Sequence, residues 1–395
     1  MDDLSPLQRR VVLVGWITYA AYYLGRVNLA AALPAMEAEF GWTPEQTSLL
    51  AGAMLWTYAA GQLINGWLGD RLTPRHMVFV GIVGSSIVNL LMASVTALEL
   101  LVLLTLVNGF LQAMGWGPIL RTLSETLADG QRRRIAGVFG TSYIVGNTAT
   151  WLLTGLLLSQ GFWQSLFIIP PLLMLGFGFI WYRLSTSGQW AAQNRPAASG
   201  HVPAQIRLKE FWVFLFTALV AGALLNGALF YAPTFAALNT TVDQAAITAV
   251  VFPIFGLIGT VGLSSIVLRS SRGQETWGLI VLLALAAAGR GIALLLPSST
   301  LSTTLLLSVM GVTSYALTNL LLTAVPLLYA HLGTSRVAGI MDATHSIGGA
   351  LGSTLVGLLL VHGGWSGVYG AWVVLPLIAI LFVAAGSRGI KLLRV

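Results

Sequence analysis

The chain has 395 residues, 56% of them hydrophobic and only 8% charged, with a formal net charge of +7 and a mean hydropathy of +0.83. A soluble protein carries roughly 25% charged residues, so this chain cannot cover itself with a water-facing surface and reads as an integral membrane protein. With no cysteine, and five histidines that lack an HxxxH or HExxH spacing, neither a disulfide nor a metal site is expected.

Each crossing needs about 20 apolar residues, and the hydrophobic stretches number twelve: 11–33, 47–69, 76–96, 99–123, 135–157, 164–184, 211–236, 245–268, 276–296, 301–329, 336–361 and 365–387. They are expected to be helices, because a lipid-exposed backbone must satisfy its own hydrogen bonds and the runs are too long and continuously apolar for barrel strands. The fold class is therefore an all-α membrane protein. The N-terminus Met1-Asp2-Asp3-Leu4-Ser5 begins with acids and lacks a small-residue cleavage site. No cleavable signal peptide is expected, and the first helix directs insertion.

The first span contains Arg26. An arginine at the centre of a membrane helix costs about 2.5–3.5 kcal/mol on insertion scales, so it faces a cavity or a partner. About fifteen residues precede it from Val11, too many for snorkelling to the helix end. Arg26 is the leading candidate ligand for a substrate or ion, with Tyr22 beside it. The second span ends in Gly66-Trp67-Leu68-Gly69-Asp70-Arg71-Leu72-Thr73-Pro74-Arg75. Asp70 is placed to pair with cations and cap a helix, and Arg71 and Arg75 to bind carboxylates or helix C-termini. Such contacts hold one conformational state and break in another.

Gln112 and Trp116 in the fourth span and Asn147 in the fifth are candidates to line a cavity. Arg121 and Glu125, spaced i,i+4 near the end of the fourth span, read as a structural pair. A polar break at 185–209 separates segments 1–184 and 210–395 as two six-helix bundles. In the second, Asn226 and Asn319 are candidate cavity residues, while Arg290 in the ninth span is expected to snorkel. Asp342 and His345 project from one face of the eleventh span at i,i+3 spacing, a titratable pair suited to accept and release a proton or to lock the helix to a neighbour.

Basic residues fall in alternate loops: Arg9 and Arg10; Arg71 and Arg75; Arg132, Arg133 and Arg134; Arg183, Arg195, Arg207 and Lys209; Arg269 and Arg272; Arg336; Arg388, Lys391 and Arg394. The intervening loops hold acids without lysine or arginine. By the positive-inside rule both termini are cytoplasmic, and the net charge is a topology signal rather than a nucleic-acid footprint. The halves also repeat: 136–147 aligns with 338–349 at an offset of 202, which sets Arg134 on Arg336 and Tyr143 on His345, and the Leu33-Pro34 of the first span aligns with Ala232-Pro233 at an offset of 199.

Two repeated six-helix halves resemble the major facilitator architecture, with its site at the midplane between them, and the 66–75 loop resembles the GxLxDRxxxR signature of those transporters. Tyr23-Leu24-Gly25-Arg26-Val27-Asn28 and Asn108-Gly109-Phe110-Leu111-Gln112-Ala113-Met114-Gly115-Trp116-Gly117-Pro118-Ile119-Leu120-Arg121 narrow the resemblance to the organophosphate:phosphate antiporter family. That family flanks a substrate phosphate with one arginine on helix 1 and another on helix 7. Here the second position falls on Leu225 and the family's helix 5 histidine falls on Tyr143.

One arginine suits a carboxylate, a sulfonate or a monoester phosphate in a bidentate fork. The resemblance thus implies a secondary transporter of a small organic anion in a bacterial inner membrane, coupled to a proton or a counter-anion. It is expected to act as a monomer, not an enzyme, without a cofactor, and without ATP because no GxxxxGK[ST] loop is present. A lipophilic-drug exporter and a non-transporting ligand sensor of the same fold are the alternatives.

Overall fold

The computed structural model describes residues 4–158, 160, 162–185, 209–239, 248–270, 275–295 and 298–387. Most of the expected 185–209 linker lies outside the described residues, as do Arg195, Arg207, Asp243, Arg272, Arg388, Lys391 and Arg394. Among the described residues sixteen α-helices follow in chain order: α1 (Pro6–Tyr22), α2 (Asn28–Phe40), α3 (Pro44–Gly69), α4 (Pro74–Met92), α5 (Leu98–Gln112), α6 (Trp116–Thr126), α7 (Asp129–Phe139), α8 (Thr141–Leu158), α9 (Ile169–Leu184), α10 (Lys209–Ala236), α11 (Val251–Ile258), α12 (Ser264–Ser270), α13 (Glu275–Leu294), α14 (Thr300–Asn319), α15 (Val325–Leu328) and α16 (Thr334–Ser387). Among the described residues there is no β-strand.

Seven helical stretches of the described residues are long and apolar enough to cross a membrane. The last, Thr334–Gly386, spans the two final expected helices; Gly364, at φ 59°, breaks it where the sequence predicts their junction. Large apolar side chains face outward along the helices, among them Leu152 at 67%, Ile266 at 64% and Leu295 at 86% exposure. Such a surface suits lipid, not water.

Several expected spans are interrupted rather than continuous. The first breaks after Tyr22 into a 3₁₀ turn at Tyr23–Gly25 and restarts at Asn28. The fourth breaks between Gln112 and Trp116. The eighth and tenth each contain a π-helical turn, at Gly259–Leu263 and Leu320–Ala324. Sequence-level apolarity cannot see such breaks, because the residues on both sides remain apolar.

The contacts form two compact units. The first comprises Met1–Arg132, Ser142–Val202 and Pro326–Ala343. Capping boxes start α1 at Ser5–Gln8 and α3 at Thr43–Gln46, and Gly41 in the left-handed region ends α2. One end is filled by Leu29, Met36, Leu50, Met92, Leu101 and Phe167, with Trp163 donating to Glu39 Oε2 at 2.6 Å. Close helix approach rests on glycine: a Cβ on Gly109 would strike Thr57 and the Met54 carbonyl of α3, and one on Gly66 would lie 2.9 Å from the Ser335 carbonyl.

The second unit comprises Arg133–Thr141, Pro203–Val325 and Thr344–Val395. The glycines of α16 pack on α10, with Gly348 against the Leu219 carbonyl and Gly352 against Ala223. Helix α11 meets α14 through Gly256 on the Tyr315 ring and Gly311 on the Phe252 carbonyl. Arg290 corrects an expectation: it does not snorkel but is 1% exposed, held between α13 and α14.

Candidate functional site

The break in α1 creates the candidate site. Releasing the helix at Gly25 leaves its carbonyl without an intrahelical partner, and two side chains replace it: Asn108 Nδ2 donates to Gly25 O at 2.9 Å and Asn89 Nδ2 at 3.2 Å. Asn89 is itself tied to Asn28 at 2.8 Å and Asn108 at 3.1 Å. Ser85 Oγ donates to Asn108 Oδ1 at 2.5 Å and accepts from Gln112 Nε2 at 2.7 Å. A buried polar network of this kind fixes one geometry when its members are satisfied. Its last member is Gln112 Oε1, which accepts from Arg26 Nε at 3.3 Å.

Arg26 is thereby oriented and half-buried. Its guanidinium carbon lies 4.7 Å from the Tyr23 ring centroid and 4.3 Å from that of Tyr58. Rings give a cation electrostatic support without consuming its N–H donors. Nη2 has no hydrogen-bond partner among the described residues. Tyr58 turns its hydroxyl to Asp342 Oδ2 at 2.8 Å, so one ring joins the cation to a buried carboxylate.

Among the expected ligands, Tyr143 and Asn147 are half-buried on α8, which approaches α1 through Gly146 at Ala20. Trp116 is buried and packs on Tyr19 with centroids 4.4 Å apart. Tyr22 corrects the expectation of a ligand contact: it is fully buried, its hydroxyl donates to Val78 O at 2.8 Å, and Gly81 and Gly115 crowd it. It pins α1 to α4 instead.

In the second unit Asn319 is also fully buried and donates to Ser264 Oγ at 2.9 Å, an interhelical bond rather than a ligand contact. Asn226 donates to Gly222 O on its own helix at 3.2 Å and packs over Gly349. His345 Nε2 lies 3.1 Å from Thr318 Oγ1. Asp342 and His345 thus take different partners.

The loop after α3 is a clasp in the first unit. Asp70 accepts from the backbone N–H groups of Ser335 at 3.0 Å and Arg336 at 3.1 Å, capping the start of α16, where a carboxylate is favoured. Gly333, at φ 93°, admits the carboxylate because a Cβ there would overlap it. Burial pushes the Asp70 carboxyl above the ordinary carboxylate range, opposed by the Ser335 and Arg336 donors. Arg121 pairs with Glu125 at 2.6 Å and donates to the Gly69 and Leu72 carbonyls at 2.8 and 3.0 Å. Arg71 and Arg75, expected to reach carboxylates or helix ends, lie instead on the Trp67 and Tyr182 rings at 3.4 and 3.8 Å.

Asp70→Asn is expected to slow conformational exchange while leaving equilibrium binding nearly intact. Hydrogen bonds to a charged group contribute about 1.5–3 kcal/mol, enough to shift a two-state balance roughly ten- to hundredfold. Transport and binding assays on the same preparation check this, and loss of binding in folded protein would count against it.

The sequence did not single out Ser85 and Asn89 or assign Tyr23 and Tyr58 to the walls of Arg26. The available signal was asparagine inside apolar helices, which rarely goes unpartnered in a membrane.

A family model described as Major Facilitator Superfamily matches residues 15–335. Over 171 residues, 43% of this chain and 38% of the relative, the sequence is 25% identical to a probable hexose phosphate transport protein of Chlamydia pneumoniae. Over 186 residues, 46% of this chain and 42% of the relative, it is 28% identical to the glycerol-3-phosphate transporter of Bacillus subtilis (strain 168). These matches span less than half the length of either relative. The human organic anion transporter MFSD10 superposes with a TM-score of 0.71 at 16% identity, covering 96% of this chain and 100% of that one, a likeness of fold alone.

Proposed function

Because the chain belongs to the Major Facilitator Superfamily, and is therefore a twelve-helix membrane transporter rather than an enzyme, we propose that it carries a small organic anion by alternating access, with Arg26 as the anion ligand. The observation behind this reading is the guanidinium at the α1 break: aimed by Gln112, walled by Tyr23 and Tyr58, with Nη2 left without a partner among the described residues. An arginine fork matches a carboxylate, a sulfonate or a phosphate monoester. The named activities of the partial relatives, hexose phosphate and glycerol-3-phosphate transport, favour a phosphate ester.

In this reading Asp342 couples a proton to transport, since Tyr58 links it to the Arg26 guanidinium, and exchange for a counter-anion is the other mode of coupling. The division into bundles 1–184 and 210–395, cytoplasmic termini and a bacterial inner membrane belong to the same proposal. A thermal-shift screen of carboxylates, sulfonates and phosphate esters on purified protein tests it. Stabilisation by one class, lost in Arg26→Ala, is the expected result.

Leu225→Arg provides a further test. Leu225 is buried in the second unit, at the position that the sequence repeat aligns with Arg26. A second guanidinium there is expected to raise preference for dianionic phosphate over carboxylate by about tenfold, the effect of one additional charged hydrogen bond. Competition binding with paired phosphate and carboxylate analogues reads the ratio, and an unchanged preference in folded protein would remove Leu225 from the site.

A further inference from the structure

We propose that the second unit holds a binding site for a small monovalent anion of the halide class, centred on Arg290 and Ser314. Arg290 is 1% exposed and Ser314 equally so. The guanidinium has five N–H donors. Nη1 donates to Ala286 O and Thr313 Oγ1, both at 3.1 Å, and Nη2 to Ser314 Oγ at 2.7 Å. Nε has no partner among the described residues, and Nη2 has a second N–H beyond its bond to Ser314. Nε and Nη2 share one edge of the planar group, the fork that grips an anion.

The neighbouring hydroxyls differ in a useful way. Thr313 donates its proton to Val309 O at 2.8 Å, so toward Arg290 it is purely an acceptor. Ser314 accepts from Nη2 and keeps a hydroxyl proton to give. The cluster is therefore short of acceptors, with Nε, Nη2 and Ser314 Oγ each offering a donor. Gly289 brings the helices together here, since a Cβ on it would overlap Val309 of α14.

The charge balance points the same way. A buried cation without a counter-charge carries a desolvation penalty of several kcal/mol. The acids of the second unit are Glu210, Asp243 and Glu275, of which Asp243 lies outside the described residues. Glu210 and Glu275 open α10 and α13, and Glu275 stands fifteen residues from Arg290, about 22 Å along a helix. One bound monovalent anion cancels the one charge and fills the open donors; a dianion would reverse the imbalance. A weakly hydrated halide has the smallest desolvation cost for so enclosed a place. This site is independent of Arg26 and of the reading given to it.

The test is thermal unfolding of the full chain in detergent, titrating chloride or bromide against sulfate at constant ionic strength. A saturable rise in midpoint is expected in the wild type, abolished in R290Q and shifted to about tenfold higher halide in S314A, which loses one donor to the anion. R290Q also controls for general salt effects. Should R290Q fail to fold, S314A and the anomalous signal of bromide in crystals decide: density within hydrogen-bond reach of Arg290 Nε is expected. A midpoint without saturable halide dependence, a dependence unchanged in R290Q or S314A, or bromide-soaked crystals without density at Arg290 would overturn the proposal.

Discussion

Arg26→Ala is expected to abolish substrate binding, with a loss of about 2–5 kcal/mol, the usual effect of removing one partner of a buried, hydrogen-bonded charge pair. That corresponds to roughly thirtyfold or more in affinity. The substitution removes the cation whose Nη2 is unpartnered among the described residues while leaving the asparagine network that closes the α1 break, because Asn108 and Asn89 bind the Gly25 carbonyl and not Arg26. The variant should therefore fold. It does give up the two ring contacts, each about 0.5–2 kcal/mol, so unfolding midpoints must accompany the binding data. Arg26→Lys separates charge from geometry: lysine restores the charge but not the planar fork, and should recover only part of the affinity. Equilibrium binding of the best ligand from the anion screen is the measurement. Wild-type affinity in folded Arg26→Ala would remove the central claim about this site.

Much of the fold was legible from the sequence because bilayer physics is coarse. Apolar runs of the right length marked the helical stretches of the described residues, and Gly364 breaks the last long helix where the sequence placed a loop. Arg26 stood out for the same reason, as a charge where lipid forbids one. What the sequence hid was local. Whether Tyr22, Asn319 or Arg290 faces a ligand or a neighbour depends on helix rotation, and apolar periodicity is weak when lipid and protein interior are equally apolar. Tyr22 and Asn319 turned inward to bond Val78 and Ser264, and Arg290 lies beneath α14 instead of reaching for a helix end. The α1 break was hidden too, since Gly25 signals a break only together with Asn89 and Asn108, far away in the chain.

Asp342→Asn is expected to block gradient-driven accumulation while sparing exchange at equal concentrations. Asp342 is 7% exposed, and Tyr58, its hydrogen-bond partner at 2.8 Å, carries the Arg26 guanidinium on its ring. An anion arriving at Arg26 draws on the same cation that steadies the Tyr58–Asp342 contact, so substrate and carboxylate compete for one positive charge. A carboxylate that loses this support takes up a proton more readily, and the proton then travels with the substrate. Asparagine accepts the Tyr58 hydroxyl through its carbonyl and so preserves packing, but it cannot change charge. Net uptake against a gradient therefore fails, whereas exchange, which moves no net proton, continues. His345, engaged with Thr318 at 3.1 Å, is expected only to tune the process, so His345→Gln shifts the pH optimum. Uptake into proteoliposomes with and without a pH gradient distinguishes these outcomes. Full gradient-driven uptake by Asp342→Asn would leave Asp342 as a structural partner of Tyr58, and coupling would then belong to a counter-anion.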